Sequence, residues 1–360
     1  MTHIFISPHP DDAALSCGGL IANLRELGQN VTIITVFSGS GGGNGSLTGY
    51  QREALGFGSK AMWPVTEAFN RSHVRAEYAY DDPTYLPPWQ ATTDRLDATQ
   101  ADADAAAKRF WQRSSWYRRA NIHNESLAGQ PVIDDLPTQG AVLPEEVVEA
   151  AAAGEIMAQR RLEDEAYAAF AEASIVWLDL PDAVFRGYEG DEQLLSTPRD
   201  DDSAPYELIR REILRLEPQR VYVPLGIGGH VDHQLCREVG VALLDEERRW
   251  IMPGPNLVGA VQFYEDFPYA WWNDFRQLGD LGDEIWSGLP DGILVKAEYA
   301  DITDQVERKI RGIALYESQI DRLFGSTKAM ADGVRSYAAT TSELIGVGGY
   351  AERYWVSTTA

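Results

Sequence analysis

Val31-Thr32-Ile33-Ile34-Thr35-Val36-Phe37 is β-branched and almost continuously apolar. That is how a strand buried on both faces of a parallel sheet reads. Working back from it, Leu20, Leu24 and Leu27 sit at helical spacing within Leu15 to Leu27, and Gly28 follows directly. This is a helix with its stop signal. Before the helix comes a second short apolar run, Ile4-Phe5-Ile6, ended by Pro8-His9-Pro10. Strand, helix, strand is the opening of an α/β sheet with crossover helices.

Working forward, the pattern breaks from about residue 38 to about 158. Gly39-Ser40-Gly41-Gly42-Gly43-Asn44-Gly45 opens the break and reads as a flexible loop. It is a poor phosphate cradle, because the G-x-G-x-x-G frame has Asn44 in its last place and no Lys-Ser/Thr pair follows. Aromatic and polar sequence follows (Trp63, Trp89, Trp111, Trp116), with an Ala/Asp-rich helical piece near Ala98 to Arg119. Leu143-Pro144-Glu145-Glu146 is a helix start. So long a stretch inside one domain calls for secondary structure of its own.

Alternation then resumes. A charged helix runs from Gln159 to Glu172, a strand over Ile175–Leu178, a helix over Glu207–Leu216 and a strand over Val221–Val223. A helix begins near Asp232 or His233. Strand-like runs lie at Val258–Phe263 and Ile293–Val295, and one strong helix spans about Thr303 to Leu323. The expected fold is α/β: a Rossmann-like, mostly parallel sheet with helices on both faces. It forms a single domain over residues 1–360, with one long insertion at about 41–158 after the second strand.

Composition narrows the class. The net charge of −24 opposes binding to a phosphate backbone or an anionic membrane surface. No run approaches the ~18 apolar residues of a membrane span. Met1–Ser7 already reads as strand, which leaves no room for a leader. Two cysteines, Cys17 and Cys236, make no disulfide framework and suit a reducing, cytoplasmic setting. No nucleic-acid or membrane partner is expected.

Two constellations carry the chemistry. His9-Pro10-Asp11-Asp12 stands at the carboxyl end of the first strand. His230-Val231-Asp232-His233 stands at the carboxyl end of a later strand. That edge is where open α/β sheets gather ligands and catalytic groups. One zinc ion explains the set, since hydrolytic zinc takes three His/Asp/Glu ligands and leaves a fourth position open. His9, Asp12 and His233 supply the ligands. Asp11 is left beside the metal to take a proton from water. His230, protonated, stabilises an oxyanion or protonates a leaving amine. Asp232 keeps His230 oriented and charged, or simply caps the helix. His3, His73 and His123 have no partners in sequence and read as surface or core positions.

These two motifs, with Gly18-Gly19 after the first, resemble the signatures of the PIG-L/LmbE-like deacetylases. Arg160-Arg161-Leu162-Glu163-Asp164, Leu178-Asp179-Leu180-Pro181-Asp182-Ala183, Tyr264–Tyr269 and Tyr316-Glu317-Ser318-Gln319 also fit that family. The resemblance covers roughly residues 1–40 and 158–325. It implies one zinc on His9, Asp12 and His233, with Asp11 as base and His230 as oxyanion or acid group. It also implies an arginine and an aspartate that hold the sugar, matched best by Arg161 (or Arg160) and Asp182. The expected partner is a small N-acyl amine, an N-acetyl amino sugar or glycoconjugate, from which an acetyl or other small acyl group is removed. Two departures stand out. Ala13 replaces a glutamate common after the paired aspartates, and the small members lack the insertion, which is read here either as a lid whose tryptophans face the site or as a packing element. The alternatives are a Rossmann-like nucleotide- or ligand-binding protein with an inactive site, and a metal-dependent phosphoesterase.

Overall fold

The computed structural model describes residues 1–41, 47–55, 145–248, 260–272, 289 and 293–359. Within them lies a seven-stranded sheet in the order β3-β2-β1-β4-β5-β7-β6. Its strands are β1 (Thr2–Ser7), β2 (Asn30–Thr35), β3 (Ser174–Trp177), β4 (Arg220–Pro224), β5 (Val261–Tyr264), β6 (Ile293–Asp301) and β7 (Ala351–Thr359). The first five run parallel. β7 is antiparallel to both β5 and β6. The order reverses between β1 and β4, and in doubly wound sheets that switch point opens the ligand crevice. Both motif-bearing strands therefore end side by side at the crevice.

The helices of six or more residues among the described residues are α1 (Asp12–Glu26), α2 (Gly49–Ala54), α3 (Glu145–Ala171), α4 (Tyr206–Leu216), α5 (Val231–Arg248), α6 (Val306–Ile313), α7 (Glu317–Phe324) and α8 (Thr327–Glu343). Strand alternation shows that both faces of the sheet are covered. On β4, Val223 meets α5 so closely that a Cβ on Gly240 would lie 2.6 Å from it. Its neighbour Tyr222 points the other way, stacks on Phe5 at 4.3 Å and meets Tyr354 edge-on. On that second face Tyr354 holds the Glu352 carboxylate, which accepts the backbone N–H groups of Gly19 and Leu20 in α1, each at 2.9 Å. A Cβ on Gly19 would stand 2.5 Å from Ile302 and 2.9 Å from that carboxylate. The second glycine of the first motif's pair, Gly19, is thus demanded by close packing of α1.

α3 places its polar residues by helical spacing. Ile156, Met157, Arg160, Glu163, Asp164, Tyr167, Ala168 and Ala171 form one buried stripe, the i, i+3, i+4 row of a helix face. Asp164 anchors it, accepting from Thr35 Oγ1 (2.7 Å), Trp177 Nε1 (3.0 Å) and the Tyr316 hydroxyl (2.8 Å).

The single helix expected over Thr303–Leu323 is two, α6 and α7, broken at residues 314–316. Tyr316 turns inward to reach Asp164, and this tertiary anchor overrides a continuous helical pattern. The strand expected from Val258 begins at Val261, and residues 258–259 lie outside the described residues. Gly39 is not a free hinge. Its N–H donates to the Leu180 carbonyl at 2.9 Å, and its carbonyl accepts from Asp182 N–H at 3.2 Å. Residues 42–45 of the glycine-rich loop, the four tryptophans of the insertion, the helical piece near 98–119, His73 and His123 lie outside the described residues. His3 is a buried β1 residue whose ring stacks against Tyr222. Cys17 and Cys236 are free and buried. Among the described residues no helix is long and apolar enough to cross a membrane.

Candidate metal centre

The turn after β1 is closed by its own side chains. Ser7 Oγ donates to the His9 carbonyl at 2.7 Å and accepts from Ala13 N–H at 3.0 Å. His9 N–H donates to Asp12 Oδ2 at 2.8 Å. Asp11 pays the conformational cost, with φ at 113°, outside the common regions for a non-glycine residue. Such strain persists where the surroundings over-determine it, typically at functional sites. Here it turns Asp11 and Asp12 into the same crevice.

His9, Asp12 and His233 converge there. Asp12 Oδ2 lies 3.2 Å from His9 Nδ1 and 3.3 Å from His233 Nε2. Ligands about 2.0–2.1 Å from a tetrahedral centre stand about 3.3–3.4 Å apart, so this spacing is that of a coordination edge. The outward nitrogens are held too. His9 Nε2 meets Asp232 Oδ2 at 2.9 Å, and His233 Nδ1 meets Asp266 Oδ1 at 2.6 Å. Each carboxylate fixes the tautomer that turns the opposite nitrogen's lone pair inward, as around metal-ligating histidines generally. The residues present fit a zinc-class ion.

A second group, His9, His230 and Asp232, is also close enough to hold an ion. Its Asp232 is already spent. Oδ1 accepts from Arg186 Nη2 at 2.5 Å, and Oδ2 accepts from Ala183 N–H at 3.1 Å besides meeting His9. The first group is the better metal set.

The same contacts correct the expected role of Asp232. Its carboxylate orients His9 rather than His230. Only its backbone N–H reaches His230, at Nδ1 and 3.2 Å. Burial, then the charges on His9 and His233, hold His230 well below the usual histidine range. Asp182 and Asp12 pull the other way but are outweighed. Neutral, with Nδ1 accepting, it carries its proton on Nε2 as a hydrogen-bond donor.

In the metal-free site burial pushes Asp11 up, with help from the Asp12 charge, to about 8, against the pull of Arg160 and His9. Burial also works upward on Asp12, but His233 and His9 hold it well below the usual carboxylate range. Of two adjacent carboxylates, one is thus held ionised and the other is left basic.

The crevice encloses about 500 Å³, counting its open mouth. Arg160, not Arg161, enters it. Arg160 lies 3.4 Å from Asp182 Oδ2 and 3.9 Å from Asp11 Oδ1, and it donates to the Pro10 carbonyl at 3.4 Å. Arg161 turns outward. It donates to the Ser38 carbonyl at 3.0 Å, pairs with Asp179 and lies over the Trp177 ring. Asp182 lines the crevice. Ala54 of α2 lines it as well, so the chain after β2 does border the site. Asp266, Tyr269, Gln319 and Arg322 belong to the site or its walls without having been assigned a role from sequence. Asp266 had a usable signal, since it follows the carboxyl end of β5, the strand next to β4.

Comparison with known proteins adds three findings. Residues 4–62 match the family model described as PIG-L, GlcNAc-PI de-N-acetylase. Over 147 residues, 40% of this chain, the sequence is 33% identical to 2'-N-acetylparomamine deacetylase of Streptomyces fradiae, and the match takes in 47% of that enzyme. The chain thus spans about half the length of the curated relative it matches. In fold it is similar to the A40926 pseudoaglycone deacetylase (TM-score 0.51, 22% identity, 99% of this chain and 97% of that one). It is equally similar to a teicoplanin deacetylase described in a zinc-inhibited form (TM-score 0.52, 20% identity, 100% and 99%).

Proposed function

We propose that this chain, which belongs to the PIG-L/LmbE-like N-deacetylase family, is a zinc-dependent hydrolase that removes an acetyl or other small acyl group from an N-acyl amine. The substrate class is an N-acetyl amino sugar or glycoconjugate. One observation carries this: two imidazoles, each tied by a carboxylate at one nitrogen, turn the other toward Asp12 at coordination spacing, and a spare basic carboxylate, Asp11, lies alongside. The names of the matched family and of the Streptomyces fradiae relative support an N-acetyl amino sugar. An intact Asp11 facing the crevice speaks against a decayed, binding-only site.

His9, Asp12 and His233 would hold a zinc-class ion, which would supply a water of pKa roughly 7 and polarisation of the acyl carbonyl. Asp11 accepts the proton of the attacking water. His230 donates Nε2–H to the carbonyl oxygen as negative charge builds there. The proton on Asp11 then passes to the departing nitrogen, which leaves as the free amine while the acyl group leaves as the acid. Asp232 and Asp266 hold the two ligand imidazoles. Arg160 and Asp182 supply paired hydrogen-bonding groups for sugar hydroxyls.

The direct test is acetate release over a panel of N-acetyl amino sugars and N-acetylated aminoglycosides, with the protein stripped of metal and then reloaded with zinc. Stoichiometric acetate and free amine, appearing only on reloading, is the expected result. Silence across that panel with cleavage of phosphate esters would transfer the site to the phosphoesterase class.

On the best substrate of that panel, Arg160→Met is expected to lower kcat/KM by about 10- to 100-fold, the worth of one or two hydrogen bonds to a charged group. Arg161→Met is expected to stay within about twofold. Steady-state rates of the two variants decide between the adjacent arginines. The reverse ranking would return substrate contact to Arg161.

A further inference from the structure

Arg186 leaves the 3₁₀ turn Ala183–Phe185 and runs between two carboxylates. Nε and Nη2 donate to Asp202 at 2.9–3.1 Å. Nη2 also donates to Asp232 Oδ1 at 2.5 Å, and Nη1 donates to the Pro181 carbonyl at 2.7 Å. The guanidinium lies 4.7 Å over the Phe37 ring, at the end of the β2 segment. Its position joins two parts of the site. Through Asp232 it reaches His9, whose Nε2 that carboxylate holds. Through the Pro181 carbonyl, and through Ala183 N–H on the same Asp232, it fixes both neighbours of Asp182.

The charge is needed where it stands. Asp232 is fully buried, and a buried carboxylate is costly without a paired, hydrogen-bonded cation. A lysine would supply the charge but not the fork, because an ammonium cannot bridge two carboxylates and a carbonyl in one plane.

We propose that Arg186 is a positioning residue that sets metal affinity and the placement of Asp182 together, by locking Asp232 between His9 and the Pro181–Ala183 turn. It touches neither metal nor substrate. The proposal rests on the metal-site reading above.

The test is zinc affinity by chelator competition for wild type, Arg186→Lys and Arg186→Met, beside the melting temperature of each protein after stripping. Arg186→Met is expected to bind zinc about 10- to 100-fold more weakly, the range for outer partners of metal ligands. Arg186→Lys is expected to recover only part of the loss. A purely structural residue would lower the melting temperature of the stripped protein and leave zinc affinity, measured well below it, within about twofold. That outcome overturns the proposal. If wild type itself takes up no zinc, the metal-site reading falls, and a crystal structure of stripped Arg186→Met decides. The metal-affinity half of the proposal falls with it; Asp232 still on His9 with the Pro181–Ala183 turn in place overturns the other half, the placement of Asp182, and a displaced turn upholds that half alone.

Discussion

Asp11→Asn is expected to keep its metal and lose about 100-fold or more in kcat. The change is nearly isosteric, and asparagine tolerates the positive φ of this position about as well as aspartate. The ligand set His9, Asp12 and His233 is untouched, so elemental analysis should give wild-type zinc content. What disappears is the capacity to accept a proton. The pH profile sharpens the test. A base works only when ionised, so wild-type activity should rise with pH through the pKa of Asp11. Burial and Asp12 put that value at about 8 in the metal-free site, and a nearby cation acts downward, as Arg160 and His9 do. The residual activity of Asp11→Asn should lack this limb. Stability gives a readout free of catalysis. A carboxyl raised from 3.8 to about 8 on folding binds more protons folded than unfolded. Its contribution is therefore lost as pH rises through that window. The stripped variant should lose less stability than stripped wild type over it. Near-normal turnover with zinc in place would assign the base elsewhere.

Why the motifs were legible and their surroundings less so follows from how the site is built. β1 and β2 are apolar on both faces, and β1 ends in a turn dense with Pro and Asp, so the sheet and its catalytic edge stand in the local sequence. Arg160 and Arg161 differ by one position in a charged helix, and only the helical stripe from Ile156 through Asp164 to Ala171 separates them; on that stripe Arg160 faces in. Asp232 lies two residues from His230 in sequence, yet its carboxylate crosses to His9, 223 positions away. No spacing rule carries such a contact. β7 was not read because an antiparallel strand returning between β5 and β6 leaves no alternation of strand and helix to follow. Its Glu352 nevertheless explains Gly19, which from sequence was only part of a resemblance.

His233→Ala is expected to abolish stoichiometric zinc binding and, with it, activity. Removing one of three ligands leaves His9 and Asp12, and it leaves Asp266 fully buried without its imidazole partner. Elemental analysis checks the metal; equal, full content in wild type and variant would remove His233 from the ligand set. Some destabilisation is expected from the orphaned Asp266, so far-UV circular dichroism of both stripped proteins should accompany it. Acid offers the same test on wild type. Burial pulls His9 down, but Asp182, Asp12 and Asp232 outweigh it and raise the imidazole to about 9 in the metal-free site. Zinc needs the neutral ring and must displace that proton, so its affinity should rise with pH up to about 9. The stripped protein should show the opposite trend. An imidazole raised on folding from 6.5 to about 9 stabilises the fold fully below 6.5 and loses that contribution as pH climbs to 9. Zinc affinity and metal-free stability should therefore cross in opposite directions over one pH window. In His9→Gln, which lacks the titrating ring and one ligand of the set, zinc binding should be lost and the His9 part of the stability slope should vanish.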